Sequence, residues 1–290
     1  MRATWVRRML LAVLLPAIVS AWAGQGVRAQ QNVQGDQDPV KQNLAKRQQE
    51  RQATGQSIYG AECAACHGLL GDGRGPAARR FAQHPTDFTQ GVYKLRATLG
   101  SLPAQGDLER TIRTGMPGTE MVPFRHVLSE GGIRAVAAYL RTLSNKFDDA
   151  AAVAAAEEKR VKMPGQRPFP PSEDSIAKGK EIYVKRCLEC HGEQGEGSTT
   201  EKDDAGFPVI MQDFRSGVFK AGHSDEDLVR TVLAGVLGTS MGSYGGELSV
   251  EEAYQVVDYV RSLAPRRSGF GRLIALVFRE RPSGYAYRAD

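Results

Sequence analysis

Two short segments of this 290-residue chain repeat one chemical pattern, Cys63-Ala64-Ala65-Cys66-His67 and Cys187-Leu188-Glu189-Cys190-His191. In each, two thiols stand about one helical turn apart and an imidazole follows at once. Three chemistries use such residues. A thiol pair can cycle between dithiol and disulfide, four thiolates can hold one tetrahedral zinc, and a Cys-x-x-Cys-His run can attach a porphyrin while its imidazole reaches the iron. The first needs a strand–helix–strand setting that neither segment shows. The second must join pairs more than 120 residues apart, each of which already repeats the whole motif. The chain has only four cysteines, and covalent haem attachment uses all of them together with both histidines.

The motifs belong to a longer repeat. Gly55, Tyr59, Cys63, Cys66, His67 and Gly68 recur displaced by 124 as Gly179, Tyr183, Cys187, Cys190, His191 and Gly192. Asp87-Phe88 and Gly91-Val92-Tyr93-Lys94 recur displaced by 126 as Asp213-Phe214 and Gly217-Val218-Phe219-Lys220. Thr111, Gly115, Gly118-Thr119-x-Met121 and Tyr139-Leu140-Arg141 recur displaced by 120 as Thr231, Gly235, Gly238-Thr239-x-Met241 and Tyr259-Val260-Arg261. The register shifts in loops while the punctuating residues persist, which marks a tandem duplication. The duplication also selects a second iron ligand. Met116 and Met121 both sit near the end of one helical segment, but only Met121 has a methionine counterpart, Met241, whereas Met116 falls on Val236. A lone methionine reads as core filler; recurrence after Gly-Thr-x overturns that reading. His84, His126 and His223 have no mutual counterparts and read as surface residues.

The elements that carry these residues are helical. Ile176, Gly179, Tyr183 and Cys187 share one helix face. Ser224 to Asp227 and Ser249 to Glu252 predict capping boxes opening helices that run on to Ala234 and Leu263. Little reads as strand, so the predicted class is all-α. The expected divisions are a signal peptide at 1–29, a flexible, solvated lead-in at 30–51, domains at 52–147 and 173–264, a helical and Pro-rich linker at 148–172, and a tail at 265–290. The leader rests on Arg2, Arg7 and Arg8, the apolar run Met9 to Val19, and cleavage after Ala29, with Ala23 second. That run is too short to span a bilayer comfortably.

The formal charge of +5 misleads about partners. Arg2, Arg7, Arg8 and Arg28 leave with the leader, and six arginines of the tail (Arg266, Arg267, Arg272, Arg279, Arg281, Arg288) face only Glu280 and Asp290, so residues 30–264 are net acidic. This excludes a nucleic-acid-binding face. In the tail Phe270, Leu273, Ile274, Val277 and Phe278 form an apolar stripe with basic flanks, suited to a membrane surface, a docked partner or the chain's own domains.

Taken together, residues 52–145 and 173–264 resemble class I c-type cytochromes: a first helix ending in Cys-x-x-Cys-His, a distal Met after a later helix, and a last helix crossing the first. The resemblance implies two tandem cytochrome c domains with two covalently bound haem c groups, attached at Cys63, Cys66, Cys187 and Cys190. The implied axial ligands are His67 and Met121 in the first domain and His191 and Met241 in the second. It also implies that Tyr139 and Tyr259 pack where Gly55 and Gly179 let two helices approach. In the family a proline carbonyl orients the proximal imidazole; Pro76 or Pro85 could serve in the first copy and Pro208 in the second, and none is assigned. Lys94, Arg96 and Lys220 read as solvated cations, with haem propionates as the alternative partners. The function implied is single-electron transfer between redox partner proteins in the periplasm, as a shuttle or as a subunit of an oxidoreductase complex. A di-haem peroxidase is the rival, but it needs an open iron site, and two matched Gly-Thr-x-Met segments close both.

Overall fold

The computed structural model describes residues 38–100, 102–197 and 200–264. The expected signal peptide and C-terminal tail lie outside these residues. By its contacts the chain divides at Gln42, and both repeats fall in the unit that starts at Asn43.

Helix α1 spans Pro39–Ile58. Proline at the first helical position lacks only an N–H that would be unsatisfied there, and Asp38 accepts from the Val40 N–H at 2.9 Å. The lead-in expected to be flexible is thus helical from Pro39, although every residue from Asp38 to Arg51 is exposed. The Ala, Gln, Lys and Arg that make it polar are also good helix formers. Beyond α1 a π-turn, Tyr59–Cys63, leads into the short α2, Ala64–His67. Helix α3 is Gln105–Thr114 and α4 is Glu130–Arg141. The second repeat matches them with α6 (Glu173–Arg186), α7 (Leu188–His191), α8 (Asp225–Ala234) and α9 (Val250–Ser262).

Each repeat buries the crossing of its first and last helices. A Cβ on Gly55 would lie 2.2 Å from the Ala135 carbonyl oxygen, and one on Gly179 would lie 1.9 Å from that of Gln255, so only glycine allows this approach. The tyrosines expected there are present: Tyr59 and Tyr139 rings lie 5.3 Å apart, Tyr183 and Tyr259 rings 5.0 Å. At α9 the capping box forms in both directions, Ser249 with Glu252. At α8 Ser224 accepts from the Asp227 N–H, while the Asp227 carboxylate holds Arg110 and Arg230.

One small feature departs from the all-helical expectation. β1 (Thr200–Lys202) pairs antiparallel with β2 (Pro208–Ile210). It lies where the second copy gains two residues, and Gly206, at φ +83°, supplies the turn. The linker is also more than a spacer. Helix α5 (Ala150–Glu158) is capped by Asp149, Val161 donates to the Ala97 carbonyl at 2.7 Å, and Arg167 reaches Asp225 and the buried Asp258 of the second repeat.

Between the repeats the contact is nearly two-fold. Gly118 backs onto Val218, and Gly238, its counterpart, backs onto Val92, the counterpart of Val218. Such mutual exchange of equivalent residues is how symmetric dimers pack, here within one chain. The symmetry breaks at Asp107, which faces Arg160 of the linker at 3.7 Å.

Candidate functional site

Helix α2 ends its turn at Gly68, φ +79°, and α7 ends at Gly192, φ +80°. The preceding helix ties down each end, because Tyr59 donates to the Gly68 carbonyl at 2.7 Å and Tyr183 to the Gly192 carbonyl at 2.6 Å. Both first cysteines sit where the helix breaks, Cys63 at φ −114° and Cys187 at φ −121°. All four cysteines are free and partly buried. Burial, with Glu62 and Cys66 nearby, pushes the Cys63 thiol up to about 12; burial and Cys190 push Cys187 up to about 11. Burial thus disfavours at both first cysteines the thiolate that a dithiol oxidoreductase needs. Among the described residues no group of three or more His, Cys, Asp or Glu could hold a metal ion.

The two imidazoles are held by stacking and by backbone. His67 stacks on Phe88 with centroids 4.5 Å apart, and His191 on Phe214 at 4.7 Å. His67 Nδ1 lies 3.1 Å from the Thr86 carbonyl oxygen. The carbonyl at His67, left unassigned among the prolines, is that of Thr86, the residue just before the repeated Asp-Phe. In the second copy Gln212 occupies this place; its backbone acts on the His191 ring, yet His191 Nδ1 is buried without a well-formed hydrogen bond. Burial lowers the pKa of both imidazoles, against the raising effect of Thr86 and Gln212, and so keeps them in the neutral form that binds metals.

The methionine loops are built alike. Gly115, at φ +65°, ends α3 with its Cα so close to the returning chain that a Cβ would lie 2.5 Å from the Met121 carbonyl oxygen. Met116 then donates to that carbonyl at 2.9 Å. Thr119 Oγ1 donates to the Met116 carbonyl at 2.7 Å and accepts from the Met121 N–H at 3.2 Å. Thr239 makes the same two bonds, at 2.7 and 3.2 Å, to Val236 and Met241. The recurring Gly-x-x-Gly-Thr-x-Met is therefore a clasped turn that presents its last residue.

Cys63, Cys66, His67 and Met121 line a cavity of about 440 Å³, and Cys187, Cys190, His191 and Met241 line the same cavity. Its walls are equivalent pairs: Leu108 and Leu228, Val136 and Val256, Leu140 and Val260. Met116 also lines it, so the choice of Met121 rests on the repeat. A flat apolar cofactor bonded to thiols and an imidazole fits this donor set and these walls.

Of four residues read as surface groups, His84, Lys94 and Lys220 line the cavity and Arg96 is buried beside a loop. His84 lines the cavity, its ring stacked on Phe207 of the hairpin at 3.7 Å. Lys94 bridges to Asp203 at 3.0 Å. Lys220 donates to the Ile210 carbonyl, and burial together with Lys94 lowers it to about 8. Arg96 is only 6% exposed and its Nε donates to the Gly100 carbonyl at 2.7 Å. Each is drawn in by the other repeat or by a neighbouring loop, which no local pattern reports. His126 is exposed, as expected, and so is His223.

Comparison with known proteins agrees with this architecture. A family model described as cytochrome c oxidase, cbb3-type, subunit III matches residues 50–140 and 174–260. The chain is 27% identical over 217 residues to the cbb3-type cytochrome c oxidase subunit CcoP of Azospirillum brasilense, covering 73% of this chain and 61% of that protein. It is 27% identical over 214 residues to the FixP subunit of Azorhizobium caulinodans, covering 73% and 59%. It thus spans about 60% of the length of these curated relatives. Among solved structures, a chain of the reducing HAO-like protein complex of Kuenenia stuttgartiensis superposes with a TM-score of 0.66 at 36% identity, covering 73% of this chain and 96% of that one.

Proposed function

The chain belongs to the family of cytochrome c oxidase, cbb3-type, subunit III, and from that premise we propose that it is the exported di-haem subunit of an oxidoreductase complex in the periplasm, relaying single electrons between a donor and an acceptor protein. It is a tandem class I c-type cytochrome with two covalent haem c groups, a protein of electron transfer. The subunit role is favoured over a free shuttle because the relatives are named as oxidase subunits and the solved neighbour is part of a complex.

The observation that carries the reading is the single cavity receiving both sets of Cys, His and Met. Bound haem supplies a one-electron iron couple. Around it Cys63 with Cys66, and Cys187 with Cys190, provide the thioether links. The Thr86 carbonyl engages His67 Nδ1, leaving Nε2 for iron. Thr119 and Thr239 hold the turns of Met121 and Met241, whose thioethers would be the further donors to the iron. Thioether and imidazole donors together would raise the potential and leave no position for a substrate, which suits transfer. The apolar walls keep water away.

The purified full-chain holoprotein tests this. Two covalent haems per chain and a far-red Met-to-iron band in the oxidised state are expected. Met121→Ala and Met241→Ala should each remove about half of that band; a band that survives both overturns the ligand assignment. Peroxide turnover by the wild type would replace the carrier reading with the enzyme.

A further inference from the structure

The two repeats place opposite charge behind equivalent motifs. Residues 68–80 follow His67, and residues 192–204, displaced by 124, follow His191. The first segment carries Arg74, Arg79 and Arg80 against Asp72; the second carries Glu193, Glu196, Glu201, Asp203 and Asp204 against Lys202. Where the second has Glu193 and Gln194, the first has Leu69 and Leu70, 78% and 76% exposed.

This exposure belongs to a well-built loop. Gly73 donates to the His67 carbonyl at 2.8 Å, Gly75 to Cys66 at 3.2 Å and Ala77 to Ala65 at 2.9 Å, so the segment is laced along α2. The Asp72 carboxylate accepts from the Arg74 N–H at 3.0 Å, within the loop. The three arginine side chains are exposed and make no ion pair among the described residues.

The second loop is already engaged. It forms the hairpin that reaches the first repeat, with Asp203 on Lys94 at 3.0 Å and Phe207 on His84 at 3.7 Å. An acidic edge with an apolar ring thus docks on a cation of the first repeat inside the molecule. The loop at 68–80 offers the other half of such a contact outward, cations beside exposed apolar side chains.

We propose that residues 68–80 are the docking surface for an acidic redox protein, with Leu69 and Leu70 seated in an apolar patch and Arg74, Arg79 and Arg80 facing its carboxylates. This rests on the electron-transfer reading and adds the partner's character and the repeat it meets. Opposite charge steers encounter, and a small apolar centre holds the complex.

The test measures binding of full-length holoprotein to an acidic flavodoxin as probe, with a basic cytochrome c as control. The flavodoxin should bind more tightly and lose affinity as salt rises. The Arg74→Glu/Arg79→Glu/Arg80→Glu variant should bind at least tenfold more weakly, Leu69→Ser/Leu70→Ser several-fold more weakly at high salt, and Glu193→Lys/Gln194→Lys as the wild type does. Equal loss in that last variant, preference for the basic probe, self-association through the leucines in sedimentation, or capture by anionic phosphatidylglycerol vesicles in place of flavodoxin each overturns the proposal. Spectra and dithionite reduction of the same samples separate the outcomes: altered haem spectra in the wild type count against the carrier reading, whereas intact spectra with unchanged binding count against the docking surface alone.

Discussion

At the scale of single residues, the side chains that do the positioning differ from those expected to do the chemistry. Thr119 and Thr239 look like minor members of a repeated motif, yet each clasps its methionine turn with one donated and one accepted bond. Thr119→Val keeps the shape and removes both bonds. It is expected to cost about 1 kcal/mol and to weaken the Met-to-iron band of the first repeat while leaving the second intact. An unchanged band with unchanged thermal stability would show that the glycines alone hold the turn. Thr86 acts through its backbone, so substituting its side chain should leave the His67 ring in place.

Among the elements, close helix crossing is the main constraint. Alanine at an exposed helical glycine stabilises by about 0.5–1 kcal/mol, but at Gly179 the new methyl would meet the Gln255 carbonyl oxygen at 1.9 Å. Overpacking of this kind costs about 1–3 kcal/mol. Gly179→Ala is therefore expected to lower the denaturation midpoint, whereas Gly60→Ala, with nothing within 4 Å, should leave it level or raise it. A Gly179→Ala protein as stable as the wild type would refute the crossing. The linker behaves as an element too, because Arg167 and Val161 pin it to opposite repeats.

For the whole molecule, the contact between repeats decides how the two sites share one cavity. The Lys94–Asp203 pair is one polar clamp of this contact, and Arg110–Asp227 is another. Burial raises the Asp203 carboxyl, but Lys94 and the N–H groups of Phe207 and Ala205 outweigh this and hold it below the ordinary 3.8. A carboxyl depressed in the folded state adds stability above its unfolded value, and that stability is lost as pH falls through the folded one. Acidification below about pH 4 should therefore loosen the hairpin before the helices melt, seen as loss of amide protection at Phe207. In Asp203→Asn this step should vanish and protection should be lower already at neutral pH; an identical acid profile in wild type and variant would assign the step to another carboxyl. The pair is only partly exposed, so its contribution is about 1 kcal/mol.

Cysteine spacing, the adjacent histidines, the duplication and the helical periodicity were legible in the sequence, because covalent attachment and helix crossing demand residue types at short, local intervals. The duplication also made Met121 preferable to Met116, a choice the shared cavity does not make. What only the tertiary structure decided are contacts that residue types do not announce: the Thr86 carbonyl at His67, the half-buried placement of His84, Lys94 and Lys220 along the cavity and the burial of Arg96, the hairpin at 200–210, and the junction where Gly118 meets Val218 and Gly238 meets Val92. A backbone carbonyl carries no residue identity, and a lysine looks alike in sequence whether water or an aspartate of the other repeat receives it. Pairing across more than a hundred residues is set by how two cores pack, and that is why one continuous cavity, with one basic loop left free beside it, appears only in the folded chain.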